Sequence, residues 1–193
     1  MTNKTNTQKL IMGALLTALV IVFQLMATYT AFFGPFSTAI GLIPIAIGAI
    51  LCGPAIGAWL GFVFGIVVLA SGGAALFLAF DIVGTFITVL AKGTLCGLIC
   101  GYVYKLLSKY NVIIAAIAAA IICPITNTGV FLLGCAVFFL EDAVNIGQLI
   151  GNPNSGMMLF VSLALANFIF EMGMNAILSP IIVRLVKIRK KSI

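Results

Sequence analysis

The chain has 193 residues, of which 63% are hydrophobic and 7% charged, with a net charge of +6 and no histidine. Mean hydropathy is +1.31, which leaves too little polar surface for a water-soluble domain of this length and describes an integral membrane protein. Without histidine, Ser-His-acid nucleophile arrangements and the usual metal spacings are absent, and no Gly-x-x-x-x-Gly-Lys loop is present, so enzymatic chemistry and ATP hydrolysis by the chain itself are not expected.

Long apolar tracts broken by short Gly, Pro and Asn segments favour helices over the alternating pattern of a barrel. The expected fold is an all-α integral membrane protein, a single domain over 1–193, with six transmembrane helices at 8–32, 36–51, 54–70, 80–107, 112–140 and 156–186. Span one follows Lys4 and Lys9. Its apolar run is about twice the usual h-region and no A-x-A-like site closes it, so it reads as a span and not a secretory signal. It carries Ala14 and Ala18 four residues apart with Gly13 beside them, a small face suited either to packing or to a separate partner. The connection to span two, "TYTAFFGPFS", is rich in aromatic residues around a Gly34-Pro35 turn. Span three holds Gly53, Gly57, Gly61 and Gly65 at four-residue spacing, a ridge that lets another helix of the chain approach closely.

Span four places Asp81, Thr85, Thr88 and Lys92 along one helical face. Span five bends at Pro124 and then presents Thr126, Asn127 and Thr128. Span six aligns Asn167, Glu171 and Asn175. Counted inward from the outer ends of their spans, Lys92, Asn127 and Glu171 lie about 12, 13 and 15 residues deep, roughly 18 to 22 Å, so they meet if the spans pack together. A lipid-facing Lys92 costs at least roughly 2.5 kcal/mol, which directs it into the bundle toward Glu171, Asn127 or a ligand. The competing reading is a structural Lys92–Glu171 ion pair, with the asparagines as interhelical hydrogen bonds.

Apart from Lys92, the basic residues cluster before span one, between spans four and five (Lys105, Lys109) and after span six, while Asp81, Glu141 and Asp142 fall in the opposite connections. By the positive-inside rule both termini are cytoplasmic. The basic end "RLVKIRKKSI" is a topology and lipid-headgroup anchor, so the net positive charge requires no nucleic acid. The five cysteines read as small apolar packing residues.

The six spans, the Ala14-x-x-x-Ala18 motif, "CGPAIGAWLGFVFG" and "LAKGTLCGLICGYVYKLL" together resemble the substrate-binding S components of energy-coupling factor (ECF) transporters, over nearly the whole chain. The resemblance implies a multi-pass cell-membrane subunit that captures a vitamin or similar micronutrient from outside. A transmembrane coupling subunit and two ATPases then deliver the ligand inward, so ATP is used by the partners and the chain needs no cofactor of its own. It further implies that Ala14 and Ala18 dock the coupling subunit, that the connection after span one forms a lid through Phe33 and Phe36, and that the ligand lies among spans four to six. Candidate ligand-binding residues are Lys92, Thr88, Thr85, Asn127, Thr126, Asn167, Glu171 and Asn175, with further aromatic contacts from Phe138, Phe139, Phe168 or Phe170. Lys92 suits a carboxylate and the asparagines suit hydroxyl or amide groups, which makes a small polar anion such as pantothenate the first candidate. An autonomous ion-coupled carrier using Lys92 and Glu171 is the alternative. Internal repeats and matched broken helices, common in such carriers, are not evident.

Overall fold

The computed structural model describes residues 2–30, 41–141, and within 158–184 residues 158, 161–162, 164–165, 168–169, 171–175, 177 and 183–184. The described residues form helices and turns, with no strand among them. In chain order the helices are α1 (Thr2–Thr30), α2 (Leu42–Cys52), α3 (Pro54–Ala70), α4 (Ala75–Leu78), α5 (Ile82–Leu107) and α6 (Val112–Phe138). Helical residues recur over 158–184, where the sixth span was expected. Three helices, α1, α5 and α6, are long and apolar enough to cross a membrane, while α2 and α3 are shorter apolar helices.

Local chemistry sets the breaks. Gly53, at φ 102°, separates α2 from α3, a left-handed backbone that glycine adopts without strain, and Pro54 then starts α3 where its missing N–H costs nothing. The expected four-glycine ridge therefore begins at Gly57, because Gly53 serves the junction. Asn111 caps α6, its side chain accepting from the backbone N–H groups of Ile113 (2.9 Å) and Ile114 (3.3 Å). Span four, expected from residue 80, starts at Ile82 with Asp81 in the N-cap position, and the short α4 before it was not foreseen. Pro124 lies inside a continuous α6.

The remaining glycines align α3 with α5. A Cβ added to Gly57 would lie 2.5 Å from the carbonyl oxygen of Gly97, one on Gly61 would overlap the carbonyl of Gly93, and one on Gly65 would lie 3.0 Å from the carbonyl oxygen of Val89. Rising numbers on α3 meet falling numbers on α5, so the helices run antiparallel with their backbones in contact. This seam fixes the rotation of α5, and with it the direction taken by Lys92, the neighbour of Gly93.

The core is built from α2, buried on nearly every side, and from Leu60 and Phe64 of α3, Cys96 and Cys100 of α5, and Ala116, Ala119, Ala120 and Cys123 of α6. The thiols act there as compact packing groups: Cys96 and Cys123 Sγ atoms are 2.9 Å apart, and Cys100 Sγ donates to the carbonyl of Ala119 at 3.2 Å. From α1, Gly13, Leu16, Val20, Gln24 and Ala27 face inward, whereas Ala14, Leu15, Ala18, Val22 and Met26 are exposed. That outward apolar surface, together with Trp59, Ile82, Val83, Leu133 and Val137, suits a lipid surround.

Candidate functional site

Seven parts of the fold border one interior cavity of about 110 Å³. Four of them contribute residues at same-face spacing: Phe64 and Val68 from α3, Val89 and Lys92 from α5, Asn127 and Phe131 from α6, and Ala164 and Glu171 from the C-terminal helical stretch, with Gln24 of α1 completing that ring. Gly73 and Ala74 of the turn after α3, Phe77 of α4 and Thr128 of α6 also line it.

The polar groups are placed as follows. The Lys92 ammonium stands 5.1 Å from the centroid of the Phe131 ring, within cation–π range. The Glu171 carboxylate, only 3% exposed, accepts from Asn127 Nδ2 at 3.2 Å and 3.4 Å. No ion pair within 4.0 Å joins Lys92 to Glu171 among the described residues. Both charges thus border one cavity without closing on each other. Gln24 is tied to Thr28, whose hydroxyl accepts from Gln24 Nε2 at 3.4 Å, donates to the Gln24 backbone carbonyl at 3.0 Å and also meets Ser71 Oγ at 3.1 Å. The side-chain carbonyl oxygens of Gln24 and Asn127 have no hydrogen-bond partner among the described residues. Phe77 closes the aromatic wall, in edge contact with Phe131 at 5.3 Å and with Phe139 behind it at 5.4 Å.

Of the sequence-derived candidates, Lys92, Asn127 and Glu171 border the cavity together. Thr85, Thr88, Thr126 and Asn175 are buried but do not line it. Thr85 donates its hydroxyl to the backbone carbonyl of Asp81 one turn earlier, Thr88 packs where a Gly134 side chain would be, and Asn175 Nδ2 donates to the backbone carbonyl of Glu171 at 3.0 Å. These side chains serve their own helices or the helix seams. Asn167, Phe33 and Phe36 lie outside the residues whose side chains are described. The sequence reading missed Gln24, Phe64, Phe77 and Phe131. Two carried a usable signal: Gln24 is an amide deep in an apolar tract, and Phe131 follows Asn127 by one helical turn.

An all-helical bundle with membrane-length apolar helices and an ammonium, a carboxylate and amides around an interior cavity is a multi-pass protein of the cell membrane with a built polar interior. The chain belongs to the family of ECF transporter substrate-specific components, whose family model matches residues 8–183. No curated protein and no solved structure matched the chain. Members of this family are transporter components and not enzymes, and they work with ECF coupling and ATPase modules on a small-molecule substrate.

Proposed function

We propose that the chain is the substrate-capturing subunit of an ATP-driven ECF importer, taking a small water-soluble micronutrient into the cavity between Gln24, Lys92, Asn127 and Glu171. The observation that carries this reading is the pair of opposite charges left facing one buried space, inside a chain of this family. A purely structural role accounts poorly for it, because two ions bordering a cavity with no direct ion pair leave the desolvation of each only partly compensated. Phe64, Phe77 and Phe131 supply the apolar wall that a small-molecule site needs.

In this reading six spans place both termini in the cytoplasm, and the exposed Ala14 and Ala18 present the face of α1 that meets the coupling subunit. Phe33 and Phe36 act as the lid. Thr85, Thr88, Thr126 and Asn175 support the helices that carry the site instead of touching the solute. Pantothenate, suggested by Lys92 considered alone, has to be accommodated beside Glu171, and other vitamins compete with it.

The test is direct binding. Detergent-purified protein should retain a water-soluble compound identifiable by mass spectrometry, and Lys92→Met should lose it. Retention of the same compound at the same stoichiometry by Lys92→Met and by Gln24→Leu would place the substrate elsewhere.

A further inference from the structure

We propose that the cavity selects a solute of no net charge bearing an N–H or ammonium donor for Glu171 and a carboxylate or carbonyl acceptor for Lys92, such as a zwitterion or a neutral amide, in preference to a simple anion. This rests on the cavity being the substrate site. Lys92 and Glu171 are the only ionisable groups among the described lining residues, so their formal charges cancel. The segment 31–40 contains no ionisable residue and 142–157 contains no basic one. A bound anion would satisfy Lys92 while leaving the Glu171 carboxylate, 3% exposed, with a second negative charge in the same buried space. A dipolar solute spanning the gap answers both ions and keeps the sum at zero.

The hydrogen-bond inventory points the same way. Asn127 already spends Nδ2 on Glu171, and its Oδ1 has no partner among the described residues, as is true of Oε1 of Gln24. The cavity therefore presents both kinds of partner, with the amide oxygens of Gln24 and Asn127 and the Glu171 carboxylate as acceptors and the Lys92 ammonium and the Thr128 hydroxyl as donors. A solute carrying N–H donors together with an acceptor answers both sets, whereas a carboxylate with acceptors only leaves the two amide oxygens unpaired. Phe64, Phe77 and Phe131 then receive the apolar or ring-bearing body of the molecule.

The experiment uses the full chain purified in detergent, calorimetric titration and thermal unfolding. The probes are the water-soluble vitamins, the common amino acids, and two matched sets: nicotinamide against nicotinate, and L-phenylalanine against its N-acetyl anion and its amide cation. The tightest probe should be net neutral and bind at least about tenfold more tightly than its anionic counterpart. Glu171→Gln should move the preference toward anions and Lys92→Met toward cations. A parent protein whose tightest probe is pantothenate or another net anion overturns the charge rule and leaves the substrate-capturing reading standing. Binding of none of these probes overturns the substrate site and the charge rule together.

Discussion

Gly61→Ala probes the seam on which the site depends. The added Cβ would overlap the Gly93 carbonyl on α5. Because the opposing atoms are backbone, they cannot swing aside as a side chain would, and the two helices must separate. Overpacking of this kind costs about 1–3 kcal/mol, and the rigid partner argues for the upper part of that range. Alanine returns roughly 0.5–1 kcal/mol through its better helix propensity, which leaves a net loss of about 2 kcal/mol. At roughly 2–4 °C per kcal/mol for a chain of this size, the unfolding midpoint should fall by about 4–8 °C. Affinity should weaken as well, since Lys92 adjoins Gly93. Gly129→Ala is the matched control: it makes the same chemical change in α6, where an added Cβ meets nothing within 4 Å. Scanning fluorimetry of both variants in one detergent decides the matter. Equal midpoints would refute the claim that backbone contact between α3 and α5 holds the bundle.

Ala14→Leu combined with Ala18→Leu should abolish uptake while leaving solute binding by the isolated protein intact, because both positions are exposed and neither lines the cavity; undiminished uptake would remove them from the docking face. Phe131→Leu takes the ring from beneath Lys92, a contact worth about 0.5–2 kcal/mol, and should weaken binding roughly two- to thirtyfold, while Phe131→Tyr keeps most of the affinity. Equal titration curves for the two would argue against the cation–π contact. Asn127→Asp replaces the donor 3.2 Å from Glu171 by a second carboxylate. It should destabilise the protein by roughly 2–3 kcal/mol at neutral pH, and an unchanged thermal midpoint would show that the Asn127–Glu171 contact carries no weight.

Much of the fold was legible because hydrophobic run length and glycine spacing are local signals. Gly57, Gly61 and Gly65 gave away a close helix contact, although only the structure shows that Gly97, Gly93 and Val89 receive them. Helical spacing also selected Lys92, Asn127 and Glu171, because an ionisable or amide group at membrane depth has few places to point. The same spacing over-selected: Thr85 and Asn175 satisfy backbone carbonyls one turn away, an outlet any helix offers a short polar side chain. Aromatic residues were harder to rank. Phe131 shares a helical face with Asn127, but Phe64 and Phe77 resemble every other phenylalanine in an apolar tract until packing decides which of them border empty space.

On this reading the chain binds its solute by itself but moves it only with partners. The most direct measurement is accumulation of radiolabelled solute, chosen by the titrations above, in proteoliposomes holding the chain with or without an ECF coupling subunit and its two ATPases. Accumulation that requires both the coupling module and ATP is the predicted result; equal accumulation by the chain alone, driven by an ion gradient without ATP, would contradict it.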